Sequence, residues 1–107
     1  MEPAIALLTF PDLATARQIG TALVEAQLVA CINLLPGAES IYSWDGKLER
    51  EAEVLAIAKT ALSQRAALEA FLRQHHPYHL PELLLLRVDQ GGADYLNWVH
   101  SRLAPGS

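Results

Sequence analysis

The sequence contains only one cysteine in 107 residues, so it forms no internal disulfide. A single thiol is compatible with a reducing compartment. No basic-then-apolar segment at the N-terminus resembles a signal peptide, and no apolar run approaches the ~20 residues of a membrane-spanning helix. These absences predict a cytoplasmic protein without a membrane partner.

Positive charge is also scarce. There are 8 lysines and arginines against 12 aspartates and glutamates, which gives a net charge of −4. A nucleic-acid-binding protein needs a basic stripe that displaces counterions from phosphates, and this sequence has none. We therefore expect neither nucleic acid nor an anionic membrane surface as a partner.

Recognisable catalytic motifs are missing as well. The sequence has no nucleophile elbow, no phosphate-binding loop and no dinucleotide fingerprint. Cys31, His76 and Glu82 contain the groups of a catalytic triad, but nothing in the sequence places them together. We expect a protein that is not an enzyme.

The residues that are present favour one packed domain spanning residues 1–107. Hydrophobic residues make up 51% of the chain, and their spacing alternates between strand and helix periods. Strands are predicted over 4–10, 29–35 continuing at 41–44, a return arm ending near 60, and a buried strand over 83–88. Helices are predicted over 13–27, from an N-cap at Ser63 to Pro77, and through 96–103. The order β-α-β-β-α-β with a terminal helix predicts an α+β, ferredoxin-like split β-α-β sandwich.

A long β-hairpin is predicted around Asp45-Gly46, because this dipeptide supplies the positive φ angles of a type I′ turn. Tyr42 and Trp44 are two residues apart and therefore share a face of one arm. They form either part of a subunit interface or the lining of a small-molecule cleft. An isolated long hairpin is only marginally stable in water, so other parts of the structure must cover its surface. Two helices cover only one face of the sheet, and we therefore expect a symmetric oligomer to cover the other face.

A cluster of histidines follows the second predicted helix. His75, His76 and His79 lie within eight residues of Glu82, and imidazoles with a carboxylate can bind copper or zinc. Pro77 disfavours helical geometry at His76, which could let the two adjacent rings converge. The alternative is that both histidines cap the helix and interact with its dipole.

Two residues of the predicted central strands also carry reactive groups. Cys31 is either a buried, inert thiol or a soft ligand in a cleft. Lys59 is either a surface lysine lying along apolar groups or the buried partner of a carboxylate.

Several blocks of the sequence resemble the CutA family of divalent-cation tolerance proteins, in the right order and over 7–103. The blocks are Thr9-Phe10-Pro11-Asp12, residues 30–37 and 40–47, Glu53 with Lys59-Thr60, His76-Pro77-Tyr78 with Pro81-Glu82, and Asp94-Tyr95-Leu96 with Trp98. The resemblance implies a ferredoxin-like subunit in a homotrimer, built by long hairpins that pair between neighbours. It also implies a cytosolic or organellar protein of divalent-metal tolerance.

For the metal, the resemblance implies copper or another divalent cation. His75 and His76 match the paired histidines proposed as copper ligands in bacterial members. Some members also place a cysteine near the end of the first strand, where this chain has Leu8 and its neighbours. His79 stands where a glutamate or glutamine is common and adds an imidazole.

A second hypothesis is a signalling or interaction module that binds a small molecule or protein in clefts between subunits. The trimer implied by the resemblance has the architecture of the nitrogen-regulatory PII proteins, which is an analogy of fold. In this hypothesis Cys31, Lys59, Tyr78 and Glu82 line the cleft.

Overall fold

The computed structural model describes residues 1–105, and within that range four strands and three helices follow one another in the predicted order. The strands are β1 (Pro3–Phe10), β2 (Cys31–Trp44), β3 (Lys47–Ala61) and β4 (Leu84–Arg87). The helices are α1 (Leu13–Glu25), α2 (Arg65–His75) and α3 (Ala93–Arg102), with a 3-10 turn at Leu62–Gln64. Residues 106 and 107 of the predicted domain lie outside the described part.

The four strands form one antiparallel sheet in the order β2-β3-β1-β4. Side chains from α1 and α2 pack into one core with alternate residues of β1 and β3, so both helices cover the same face. Leu8, Phe10, Leu23 and Leu68 lie in this core and are each 0% exposed. The α+β, ferredoxin-like prediction is confirmed.

The hairpin between β2 and β3 has the predicted type I′ turn. Asp45 and Gly46 have φ angles of 54° and 78°, both in the left-handed region. Pairing runs out to Trp44 opposite Lys47, and one shift in register falls between Leu35 and Ala38. Gly37, at φ 90°, allows this bulge, so residues 36 and 37 bend β2 without ending its pairing. The hairpin lengthens the subunit, which measures 44 × 27 × 23 Å.

The two helix starts differ in how well the sequence predicted them. Asp12 is the N-cap of α1, and its carboxylate accepts a hydrogen bond from the Thr15 N–H at 2.7 Å. That prediction is confirmed. The predicted N-cap at Ser63 is wrong, because Ser63 lies inside the 3-10 turn and Gln64 precedes α2 without a side-chain cap.

The face of the sheet opposite α1 and α2, which we call the open face, has little cover within the subunit. Ile5, Leu7 and Ile57 are half-buried there. On β4, Leu84 is 57% and Leu86 is 53% exposed. The strand predicted over 83–88 is present as β4, but it is not buried within the subunit, because β4 is a short edge strand paired with β1.

The open face continues onto the outer part of the hairpin. Tyr42 lies opposite Glu49 and Trp44 lies opposite Lys47, so these pairs share a face. Counting by twos along β3 places that face on the same side as Leu55 and Ile57. Among the described residues, no helix is both long and apolar enough to span a membrane.

Candidate functional site

A cleft of about 960 Å³ lies between the outer part of the hairpin and the loop 77–82, which joins α2 to β4. Tyr42 and Trp44 line it from β2, and Tyr78 and Glu82 line it from the loop. The cleft forms there because β1 ends at Phe10, which leaves the outer half of β3 without a partner strand on that side. The loop occupies part of the space that β1 leaves.

Carboxylates make the cleft electronegative. Glu49, Glu51 and Glu53 all line it and project from the same face of β3. The pKa of the Tyr42 phenol is raised, first by loss of solvent around the ring and then by the negative charges of these three glutamates. The cleft therefore favours neutral or positively charged groups.

One hydrogen bond ties the two walls of the cleft together. The Tyr78 phenol donates to the Glu53 carboxylate, with an oxygen-to-oxygen distance of 2.6 Å. Burial, followed by the bond to Glu53, raises the pKa of Tyr78 well above its ordinary value of 10. The phenol therefore remains protonated at neutral pH and can donate this charge-assisted bond.

His76 is buried at the inner end of the loop. Its Nε2 lies 2.8 Å from the carbonyl oxygen of Thr9, and its Nδ1 accepts a hydrogen bond from the Tyr78 N–H at 3.0 Å. The ring stacks on Phe10 with a centroid distance of 5.1 Å and contacts Tyr78 at 4.7 Å. His76 thus connects the end of β1 to the loop that lines the cleft.

His75 faces a different environment. It is exposed at the end of α2, where its ring packs against Phe71 at a centroid distance of 4.4 Å. The predicted pair does not fit a shared metal ion, because both nitrogens of His76 are already hydrogen-bonded inside the subunit. Within residues 1–105, no group of three or more His, Cys, Asp or Glu side chains is arranged to hold a metal.

The four residues predicted to line one cleft fall into two places in the subunit. Tyr78 and Glu82 line the cleft described above. Cys31 and Lys59 lie opposite each other on β2 and β3, on the open face near the other end of the sheet. These two pairs of residues could therefore line the same cleft only if a second copy of the chain supplied one of the pairs.

Cys31 and Lys59 both have polar neighbours. The Cys31 thiol is half-buried and lies 3.8 Å from the Tyr95 hydroxyl, which raises the pKa of Tyr95. Lys59 donates to the side-chain oxygen of Asn33. Lys59 is therefore half-buried with an amide partner, so it is not the buried partner of a carboxylate.

Sequence reasoning missed Glu53 and Thr9 as partners within the site. Glu53 alternates with Glu49 and Glu51 on one face of β3, and that alternation alone gives no reason to separate it from them. The Thr9 contact uses a backbone oxygen, so residue type carries no signal for it.

The chain matches a family model described as "CutA1 divalent ion tolerance protein" over residues 4–102. It is similar to the divalent-cation tolerance protein CutA of Citrobacter koseri, with 48% identity over 102 residues, 95% of this chain and 89% of that protein. The protein of the same description from Salmonella newport shows the same identity and coverage.

Solved structures agree with this similarity. The divalent cation tolerance protein Cut A1 of Thermus thermophilus superimposes with a TM-score of 0.93 at 35% identity, covering 95% of this chain and 99% of that one. CutA of Xylella fastidiosa superimposes with a TM-score of 0.92 at 36% identity, covering 97% and 100%. The similarity therefore includes the long hairpin and spans nearly all of both proteins.

Proposed function

The chain belongs to the CutA1 family of divalent ion tolerance proteins, and from that premise we propose that it acts in the cytoplasm as a homotrimer in tolerance of divalent cations. The proposed activity is binding and assembly, without catalysis. The single observation that carries the proposal is the open face, which the described part of a lone subunit leaves with little cover.

The open face has the composition of an interface. It carries Leu84 and Leu86, each more than half exposed, and extends to Trp44 on the hairpin, which is 52% exposed. Large contiguous apolar patches on a soluble protein mark interaction sites, and aromatic residues are enriched at them. Further copies of this chain would remove these side chains from water.

The edges of the sheet support the same proposal. β2 and β4 are the two edge strands, and their backbone groups on the outer side have no partner strand within residues 1–105. Exposed edges pair readily with other strands. Because the two edges differ in length and sequence, a contact between them is head-to-tail and closes into a ring when the rotation fits.

Copper is the divalent cation that we propose to test first. Because the His75–His76 pair does not fit an ion, and the described residues contain no group of three or more ligand-type side chains arranged to hold one, we expect weak binding. Calorimetry with Cu²⁺ on the intact protein measures this. Tight, stoichiometric binding to the folded trimer would contradict the expectation of a weak site.

Growth of cells that lack their own family member tests the function itself. We expect this chain to restore growth in Cu²⁺ and the Leu84→Lys/Leu86→Lys variant to fail, because added charge on the open face prevents assembly. Val24→Lys is the control, since Val24 is 40% exposed on α1 and away from the open face. Equal growth with all three proteins, or no effect of the wild type, counts against the proposal.

A second candidate function is a signalling or interaction module, and the electronegative cleft favours it. Two walls joined by the Tyr78–Glu53 bond form a site of about 960 Å³, which is in the size range of small-molecule sites. A thermal-shift screen of small molecules in the presence of a chelator tests this function. Stabilisation without metal supports a ligand in the cleft, and stabilisation only by metals argues against it.

A further inference from the structure

The hydrogen-bonding capacity of His76 is fully used inside the subunit. A neutral imidazole has one N–H donor and one nitrogen lone pair. The Thr9 carbonyl oxygen can only accept, so Nε2, at 2.8 Å, carries the hydrogen. The Tyr78 backbone N–H can only donate, so Nδ1, at 3.0 Å, provides the lone pair. No lone pair is left for a metal, which binds imidazole through a free nitrogen.

The surroundings of the ring are equally closed. His76 is 7% exposed, and aromatic rings of Phe10 and Tyr78 lie against it, the first at an interplanar angle of 17°. His75 packs on Phe71 of its own helix instead and is open to solvent. The two imidazoles are adjacent in sequence, but one is buried and the other is exposed to solvent.

The contacts of His76 also determine the position of its neighbour. Its Nδ1 holds the backbone of Tyr78, and the Tyr78 phenol reaches Glu53 on β3. Through Nε2 the same ring is attached to the Thr9 carbonyl oxygen, one residue before the end of β1. One side chain therefore links β1, the loop 77–82 and, through Tyr78, the hairpin.

We infer that His76 is a positioning residue that fixes the loop 77–82 and the Tyr78–Glu53 bond of the cleft, and that it is not a metal ligand. The inference stands independently of the trimer, because all of these contacts lie within one subunit. In this inference, His76 determines the shape of the cleft and does not bind the metal ion.

Nitrogen NMR of the wild-type protein tests the inference directly, with Zn²⁺ as a diamagnetic probe. Long-range ¹H–¹⁵N spectra distinguish a protonated from an unprotonated imidazole nitrogen. We expect His76 to show a protonated Nε2 and an unprotonated Nδ1, both unchanged when Zn²⁺ is added. A metal-induced shift of either nitrogen, or loss of the Nε2 proton, overturns the inference.

Substitutions separate the two hydrogen bonds. His76→Gln can keep the donor to Thr9, His76→Asn can keep the acceptor for Tyr78, and His76→Phe keeps only the aromatic packing. We expect each variant to bind Cu²⁺ within twofold of the wild type by calorimetry, with His75→Gln as the matched control. A tenfold or larger loss of affinity in the His76 variants, absent from His75→Gln, contradicts the assignment.

A second readout separates positioning from general stabilisation. In His76→Phe we expect the pKa of Tyr78 to fall towards 10, because the phenol no longer reaches Glu53, with His76→Asn retaining more of the wild-type value. Tyrosine ¹³Cζ shifts measured against pH report this pKa for each ring. An unchanged Tyr78 titration in a folded His76→Phe protein overturns the positioning role. Whether His76 binds metal is decided by the wild-type nitrogen spectra, even where a variant does not fold.

Discussion

The two faces of the sheet are formed by alternate residues of the same strands, yet one face is closed within the subunit and the other is open. On the closed face Leu8 is 0% exposed beneath α1 and α2. On the open face its neighbour Leu7 pairs with Leu84, which is 57% exposed. The single chain therefore forms one complete core on the closed face. On the open face it leaves apolar side chains exposed.

The residues on the two faces determine different properties of the protein, its subunit fold and its assembly. The closed face specifies the subunit fold, because its residues pack only against elements of their own chain. We propose that the open face and the aromatic side of the hairpin specify assembly, because the described part of the subunit covers them only locally, through Tyr95 beside Cys31 and Tyr78 at Glu53. Substitutions on the two faces should therefore fail in different ways.

Charging the open face should have the largest effect. In Leu84→Lys/Leu86→Lys, two ammonium groups replace side chains that the proposed assembly would bury, and buried unpaired charges are strongly unfavourable. We expect complete loss of the trimer, with the circular dichroism of the subunit retained. Sedimentation velocity measures the loss, and Val24→Lys, on the outer surface of α1, should sediment as the wild type does.

Removing the hairpin tryptophan should have the next largest effect. Interfacial tryptophans are frequent hot spots, and Trp44→Ala should weaken assembly by about 2 kcal/mol or more. The trimer should then dissociate at higher protein concentration than the wild type, which sedimentation equilibrium detects. Leu48→Ala is the matched control, because Leu48 lies opposite Ser43 on the other face of the hairpin. An unchanged trimer in Trp44→Ala would remove the hairpin from the interface.

Tyr78→Phe should have a smaller effect that depends on pH. The substitution removes the bond to Glu53 and should cost about 1 kcal/mol of stability at neutral pH. Since the folded pKa of Tyr78 is raised well above its unfolded value of 10, the wild-type bond contributes fully below pH 10, and its contribution decreases as pH rises from 10 towards the folded pKa. Melting temperatures measured from pH 8 to 11 should therefore differ by a constant amount up to pH 10 and draw together above it. If the melting temperatures of the two proteins differ by the same amount at every pH, the titration of Tyr78 does not affect stability.

The smallest predicted effect lies at the start of α1, on the closed side. The Thr15 backbone N–H, followed by the Thr15 side chain, lowers the pKa of Asp12 below 3.8, so the cap stabilises the fold above pH 3.8 and is lost as pH falls through its folded pKa. Asp12→Ala should melt slightly lower than the wild type at pH 7, and the difference should shrink in acid. Asp12→Asn should keep the cap at every pH, because its amide oxygen accepts without a charge. Identical behaviour of the Ala and Asn variants would argue against capping.

The element order was predictable because it depends on local spacing. Helical periods and strand-length apolar runs locate the elements, and Asp45-Gly46 predicts the turn from the φ angles that it tolerates. Asp12 was predictable for the same reason, since its partner Thr15 lies three residues away. Local rules failed at Ser63, where a 3-10 turn between β3 and α2 displaces the helix start.

The site was less predictable because its contacts join distant parts of the chain. His76 and Thr9 are 67 residues apart, and Tyr78 and Glu53 are 25 apart. Spacing along the sequence cannot show that His76 turns inwards while His75 stays exposed. The resemblance to a family suggested both histidines together, and they are separated by their packing on Phe10 and Phe71 and by the hydrogen bonds of His76.

The molar mass of the protein in dilute solution tests the central claim most directly. Sedimentation equilibrium over a range of concentrations should give three times the 11.7 kDa of one chain. A monodisperse 11.7 kDa species, with Trp44 as exposed as it is in the lone subunit, would contradict the claim that the open face and hairpin are completed by further copies.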